Sequence, residues 1–350
     1  MNIAIAGTGG MANHHAKFFA AIPGVKLAAC CDISEERAKA FAEKWAIPHY
    51  STKFEKILDG EKIDGLSIVA IDAAHAPLSL AALKRKIPVL CEKPMATTLA
   101  EAKTMLTASK KAKVANMIHF SKRNSAALQE AKAFIDKGGI GRPIHVDAQY
   151  LQSWLSTKGW GDWTADSKWL WRLSIQHGSG GVLGDIGCHI YDMAGFLCGD
   201  ITEINAKLKT FEKIDKKVKA GKIGEYKLDA NDSLVAIATF KSGAIGTVHS
   251  SRWATGHPNR EYIAVYGDEG AIEIDFEKSQ TSYRRCENKK DAWKEIVCAP
   301  SPNMQERFVN AIRGKKDPSD FVNGYKVQAY LEASFESAKK GKPVKIPQVK

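Results

Sequence analysis

The feature that most constrains this chain is its beginning. A short apolar run, Asn2–Ala6, leads straight into Gly7-Thr8-Gly9-Gly10-Met11-Ala12 and then into an amphipathic helical stretch. Between a strand and a helix, each small residue has a separate task. Gly7 permits the tight turn, and Gly9 lets backbone approach a pyrophosphate. Ala12 lets the helix pack closely on the sheet, with its N-terminus facing the phosphates. Asp32 stands twenty residues beyond Ala12, where the second apolar run ends. A carboxylate there accepts hydrogen bonds from both ribose hydroxyls and repels a 2′-phosphate. No basic residue adjoins it, Arg37 being the nearest, so NAD is expected in preference to NADP.

Through residue 120 the chain alternates between apolar runs and amphipathic stretches, the pattern of a parallel sheet with helices on both faces. Strands are predicted at residues 2–6, 26–31, 65–71, 88–91 and 114–120, and helices at 11–21, 34–45, 53–59, 76–84 and 99–110. Ser34 is a candidate N-cap, and Thr98 with Glu101 a capping box. Beyond Phe120 a helix at 125–137 precedes strands at 144–150, 201–210, 233–240, 245–251, 262–266 and 271–276, two pairs of which join through glycine-bearing turns. Helices at 304–313 and 323–339 close the chain. The expected fold class is therefore α/β. An N-terminal Rossmann domain with a doubly wound parallel sheet covers residues 1–121. An α/β domain on a large, mainly antiparallel open sheet covers 122–350 and serves substrate binding and oligomerisation.

Composition removes several alternatives. No apolar run is long enough to span a bilayer, and residues 2–6 lack the basic flank of a secretory signal, so a cytoplasmic location is expected. The 7 cysteines show no metal-ligand spacing, and no metal is expected. The formal net charge of +12 comes from lysines set beside glutamates, such as Glu43-Lys44, Glu55-Lys56 and Glu61-Lys62, as on solvated helix faces. The denser stretch from Lys207 to Lys227 carries only Phe211 and Tyr226 for stacking on bases, which argues against nucleic acid as a partner.

Two further motifs follow in order: Cys91-Glu92-Lys93-Pro94 after the fourth predicted strand, and Gly180-Gly181-Val182-Leu183-Gly184-Asp185-Ile186-Gly187-Cys188-His189. With the glycine turn, they resemble the Gfo/Idh/MocA oxidoreductases, the family of glucose–fructose oxidoreductase and inositol dehydrogenase, over nearly the whole chain. The resemblance implies sugar or cyclitol chemistry and a catalytic trio of Lys93, Asp185 and His189. It implies cofactor contacts from Gly7, Thr8, Gly9, Gly10, Met11, Asp32, Ile33, Ala70, Ile71, His75, Glu92, Lys93 and Arg172. Substrate contacts would come from Lys93, Trp171, Arg172, Asp185 and His189. One departure touches the loop after the third predicted strand. Where the family usually has Ala-Thr-Pro-Asn and then a histidine, this chain has Val69-Ala70-Ile71-Asp72-Ala73-Ala74-His75, shorter and without the proline.

The residue types suit alcohol oxidation. A histidine titrates near neutrality and accepts the hydroxyl proton. Asp185, four residues earlier at an apparent helix start, shares its face and can orient it or bond a sugar hydroxyl. Lys93 holds the oxygen electrostatically. Trp154, Trp160, Trp163, Trp169 and Trp171 are either sugar-stacking platforms or core and interface residues; the sequence leaves both open. The expectation is an NAD-dependent dehydrogenase of a sugar, sugar derivative or cyclitol, forming a homodimer or homotetramer. The alternatives are a glycosidase or lyase that uses transient oxidation, and a non-catalytic NAD- and sugar-binding regulator.

Overall fold

Runs of small and β-branched residues in the first part of the chain build a sheet buried on both faces. Its strands are β1 (Asn2–Ala6), β2 (Lys26–Cys31), β3 (His49–Ser51), β4 (Gly65–Ile68), β5 (Val89–Cys91) and β6 (Asn116–Ile118). All pairs are parallel, in the order β3-β2-β1-β4-β5-β6. Ile3, Ala4, Ile5 and Ala6 are all fully buried, which is why β1 reads as continuous apolar sequence rather than alternation. The strand order reverses between β1 and β4, so the carboxyl ends of these strands flank the switch point where such sheets take ligands.

The helices α1 (Gly10–Ala20), α2 (Glu35–Trp45), α3 (Phe54–Gly60), α4 (Asp72–Lys84) and α5 (Leu99–Ala112) connect the strands. The computed structural model describes residues 1–60 and 62–348, so Glu61 of the charge pattern lies outside the described residues. Ser34 caps α2 by accepting the Arg37 N–H, and Thr98 with Glu101 forms the capping box of α5. Two local expectations change. The edge strand β3 has no apolar run to announce it, since His49 and Tyr50 are exposed. Helix α4 starts at Asp72, ahead of the expected residue 76, with Pro77 inside it. Asp72 and His75 therefore belong to a helix rather than to a loop.

The chain divides into two compact units. One comprises Met1–Ser121 with Pro302–Gln328, and the other Lys122–Ser301 with the residues from Ala329 onward. Residues 302–328, expected in the second domain, thus return to the first. There the helix Met304–Ile312 supplies Met304, Phe308 and Val309 to the core formed by β1, α1 and α2. A Cβ on Gly65 would come within 2.9 Å of the Ile312 side chain, so a glycine in β4 accommodates this helix.

The second unit holds a nine-stranded sheet. Its strands are β7 (Pro143–Gln152), β8 (Ile201–Lys209), β11 (Ser233–Phe240), β12 (Ile245–Ser251), β13 (Asn259–Gly267), β14 (Ala271–Asp275), β15 (Ser282–Cys286), β16 (Lys294–Val297) and β17 (Val344–Lys345). A separate small hairpin joins β9 (Lys222–Ile223) to β10 (Tyr226–Lys227). The sheet order is β16-β15-β14-β13-β7-β12-β11-β8-β17, antiparallel except for the β7–β12 pair. The last three strands of the chain are short or charged and give no alternating signal. Helix α6 (Ala126–Asp136) and the helix Cys188–Cys198 pack on one face. No helix among the described residues is long and apolar enough to cross a membrane.

Candidate functional site

In the first unit the glycine turn does what its spacing requires. Gly7 has φ +90°, and a Cβ there would lie 2.4 Å from the Val69 carbonyl oxygen, so only glycine fits. Gly9 and Gly10 differ: a Cβ on either meets nothing within 4 Å. Gly9 is the N-cap of α1, and no side chain caps that helix. The α1 N-terminus therefore presents its amides beside open space, a fit for the pyrophosphate of a dinucleotide.

Asp32 lies next to this turn and is fully engaged. Its Oδ2 accepts from the Thr8 amide at 3.0 Å and the Thr8 hydroxyl at 2.9 Å. Its Oδ1 accepts from the Ser34 amide at 3.0 Å and the Arg37 guanidinium at 2.7 Å. Partial burial works against its charge, but Arg37 and the amides outweigh it and leave the carboxyl below its usual range. The contact with Arg37 corrects the expectation that no base stands beside Asp32. The first turn of α2 carries the guanidinium back onto the carboxylate. Ile33 and Ile71 are exposed at this end of the sheet, and Met11 is half exposed.

His75 is not exposed to a ligand. Its ring is fully buried, with Nδ1 at 2.8 Å from the Pro94 carbonyl oxygen and Nε2 at 3.2 Å from that of Ala70. It joins the segments following β4 and β5. Burial opposes its protonation, but Cys91, Asp72 and the Pro94 carbonyl outweigh burial and raise its pKa to about 10.

Glu92 is also turned inward. His15 Nε2 and His119 Nδ1 each stand 2.9 Å from its Oε1. Its Oε2 accepts the Lys93 amide at 3.1 Å. The outer nitrogen of each imidazole is also engaged, His15 Nδ1 by the Ser67 hydroxyl at 2.8 Å and His119 Nε2 by the Gln305 amide at 3.1 Å. Two histidines and a glutamate have the composition of a metal site. Around zinc, however, tetrahedral donors stand about 3.3 Å apart, whereas each imidazole here stands 2.9 Å from the carboxylate oxygen. Burial alone would raise the Glu92 carboxyl, yet the two imidazoles hold it well below the usual range. Burial and the neighbouring His119 bring His15 down to about 4 despite Glu92. The cluster thus consists of an ionised carboxylate and a neutral His15.

In the second unit the residues Gly180–His189 are held by Asn231, just before β11, and Arg252, just after β12. Gly181 has φ +66°, and a Cβ there would collide with the Asn231 side chain at 2.3 Å. Asn231 receives the Leu183 amide at 3.0 Å and donates to the Gly180 carbonyl at 3.3 Å. Asp185 lies in a π-helical turn, Leu183–Gly187, that runs into the helix Cys188–Cys198. The expected simple helix start is therefore a widened turn, a local irregularity common at functional sites. Asp185 is 30% exposed and accepts from Arg252 at 2.9 Å. Arg252 is fully buried and also donates to the Arg172 carbonyl at 3.0 Å and the Gly181 carbonyl at 3.3 Å.

His189 is buried in the next turn, 6.2 Å from the Tyr150 ring. Tyr150 donates to Asn259 at 3.0 Å, and burial with the nearby Glu261 and Asp185 charges raises its pKa well above ordinary. Three residues after His189, Asp192 forms a buried bidentate pair with Arg123 at 2.7 and 2.8 Å, which anchors the helix. Sequence spacing pointed to none of Arg252, Asn231, Tyr150, His15 or His119. A lone arginine just after the alternating strand β12 was the best available hint.

The tryptophans divide. Trp154 and Trp163 are core residues of a local cluster with Leu155, Leu170 and Leu173. Trp169 stacks between Trp154 at 5.7 Å and Trp160 at 6.0 Å. The Arg172 guanidinium lies 4.5 Å from the Trp171 ring and donates to the Lys168 carbonyl. In the lysine-rich stretch, Lys213 is buried against Asp232 at 2.7 Å, a structural ion pair.

Comparison with known proteins agrees with this architecture. Residues 1–120 match the model of an oxidoreductase family with an NAD-binding Rossmann fold, and residues 128–273 match the GFO/IDH/MocA C-terminal domain. The levoglucosan dehydrogenase of Pseudarthrobacter phenanthrenivorans is 27% identical over 100% of this chain and 99% of its own length. The scyllo-inositol 2-dehydrogenase (NAD(+)) of Bacillus subtilis is 30% identical over 77% of this chain and 72% of its own. A solved levoglucosan dehydrogenase in complex with NADH and levoglucosan superposes with a TM-score of 0.87 at 25% identity, covering 100% of both chains.

Two outcomes follow from this geometry. Gly7→Ala is expected to lower the melting temperature sharply, because its Cβ meets backbone. Gly9→Ala should leave stability nearly unchanged yet weaken NADH binding at least about tenfold in a fluorescence titration, by filling the space before the helix. Equal loss of stability in both variants would contradict the division of roles. The second outcome concerns acid. The folded His15 takes its proton only near pH 4, whereas the unfolded one takes it near 6.5, so the unfolded state binds more protons in between. Stability should be full above that window and fall as pH drops through it. Denaturant titrations at neutral pH and at about pH 5 read this slope, and His15→Gln should flatten it.

Proposed function

The chain belongs to the Gfo/Idh/MocA family of oxidoreductases, and on that premise we propose that it is an NAD-dependent dehydrogenase acting on a secondary hydroxyl of a sugar, sugar derivative or cyclitol. The observation that carries the reading is one continuous helical segment bearing an arginine-paired carboxylate, Asp185, four residues before a buried imidazole, His189. Relatives that match all or about three quarters of the chain act, by their names, on levoglucosan and scyllo-inositol, which supports a polyhydroxylated ring as substrate.

The Gly7–Met11 turn would hold the pyrophosphate of the dinucleotide, and Asp32 would accept hydrogen bonds from its ribose hydroxyls. When bound, the nicotinamide supplies the acceptor for the hydride leaving carbon. The protein handles the proton. His189 accepts it from the hydroxyl, and Lys93 steadies the developing alkoxide through its ammonium. Asp185, fixed by Arg252, orients the ring or bonds a neighbouring hydroxyl. Trp171 and Arg172 contribute a flat face and a cation for the substrate. Asp32 disfavours a 2′-phosphate by charge repulsion, which its bond to Arg37 reduces, and the preference for NAD rests on the carboxylate outweighing that guanidinium.

A panel of pyranoses, anhydrosugars and cyclitols assayed with NAD and with NADP tests the reading, and NAD should give the higher rate. His189→Ala should lower turnover by about two to four orders of magnitude with little change in NADH affinity, and remove the acidic limb of the pH profile. Lys93→Met should cut turnover while keeping that limb. Tighter binding of NADP than of NAD, or near-normal turnover in His189→Ala, would contradict it.

We also propose that the protein forms a homodimer or homotetramer joined through its large sheet. Strands β11 and β12 bury alternate residues, and the outward set includes Val235, Ile237 and Ile245, each more than half exposed. Their cross-strand register places them on one face. Light scattering should give a multiple of the chain mass, and Val235→Asp with Ile237→Asp should shift it to the monomer. A monomeric mass for the unmodified protein would refute the proposal.

A further inference from the structure

Five elements of the first unit bring polar side chains to one buried point. His15 comes from α1, Ser67 from β4, Glu92 from just after β5, His119 from just after β6, and Gln305 from the helix Met304–Ile312. His15, Ser67 and Gln305 have no exposed surface, His119 is 1% exposed and Glu92 is 8% exposed. Apolar residues of the same volume would fill this space without desolvating a charge, so packing alone does not account for the set. The contacts converge on the Glu92 carboxylate, through a hydrogen bond with His15 Nε2 and a charge contact with His119 Nδ1, each at 2.9 Å. The group it holds in turn is the main-chain amide of Lys93, at 3.1 Å. We propose that His15 and His119 are positioning residues that hold the Glu92 carboxylate, which fixes the main chain at Lys93 and so aims the lysine side chain.

The proposal rests on the reading above that Lys93 holds the substrate oxygen. Its chemistry is specific about which atoms matter. His15 presents Nε2 to the carboxylate, the atom that a glutamine amide nitrogen replaces. His119 presents Nδ1, the atom that an asparagine amide nitrogen replaces. A leucine at either position keeps apolar bulk and removes the donor. If the cluster only filled space, leucine and amide variants of equal stability would behave alike. As a clamp, the amide variants should work and the leucine variants should not.

The test uses the full-length protein and the best substrate of the sugar and cyclitol panel. His15→Leu and His119→Leu are expected to lower kcat about 10- to 100-fold, the scale of a misplaced catalytic group, with NADH affinity within about twofold. His15→Gln and His119→Asn should stay within about threefold of the unmodified protein. In a Lys93→Met background the leucine substitutions should cause no further loss, because they act through that side chain. Should the leucine variants fail to fold, Glu92→Gln, which keeps the shape and removes the charge, takes their place. A second readout needs no substrate. Lysines are dimethylated with 13C-formaldehyde, and the Lys93 signal is assigned by its loss in Lys93→Arg. That signal should move in the leucine variants and stay in the amide variants. Unchanged kcat in Lys93→Met would remove the assumed role of Lys93, while the Lys93 signal would still decide on the clamp. An unmoved Lys93 signal in the leucine variants, or a leucine effect of equal size with and without Lys93, would overturn the proposal.

Discussion

An ionised carboxylate in the dry interior of a parallel sheet must find donors for its oxygens, and the first unit is organised around meeting that demand at Glu92. The solution draws on distant parts of the sequence: His15 in the first helix, His119 after the sixth strand, and Gln305 in a segment that returns from far along the chain. Leaving a buried charge of this kind unpaired costs several kcal/mol. The carboxylate therefore constrains where α1, β5, β6 and the returning helix sit. Lys93, the next residue, takes its main-chain position from the same network.

The neighbouring glycine turn works by the opposite device, removing side chains where backbone must approach. Gly7 lies against Val69, while Gly9 and Gly10 leave the α1 N-terminus open. In the second unit a buried cation does for Asp185 what the imidazoles do for Glu92. Arg252 ties the carboxylate to the carbonyls of Arg172 and Gly181, and Asn231 grips the backbone that leads to the π-helical turn. Both carboxylates are thus held by buried polar partners rather than by packing alone.

How much of this was legible in the sequence depended on the range of the interaction. The Rossmann strands, the caps at Ser34 and Thr98 and the family motifs rest on neighbours a few residues apart, and they were visible. The strand β3 and the strands near the end of the chain were not, because exposed or charged residues hide the period. The Asp32–Arg37 contact was misjudged since five residues of separation shrink to one turn of α2. His75 is buried because helix α4 begins earlier than its proline suggests. Arg252, His119 and Gln305 meet partners 67, 27 and 186 residues away, a distance at which no local pattern speaks. The tryptophans left open on sequence divide by depth, with Trp154 and Trp163 in the core and Trp171 nearer the surface.

The central claim is that this chain moves a hydride from a sugar carbon to NAD in a completed reaction. The most direct measurement supplies a polyhydroxylated substrate deuterated at its ring carbons together with NAD, and determines by mass spectrometry where the label goes. The account predicts one deuterium on the released, reduced nicotinamide, and a ketone on the sugar. Label that never leaves the sugar, or returns to it while a C–O bond breaks and NAD emerges unchanged, would contradict it.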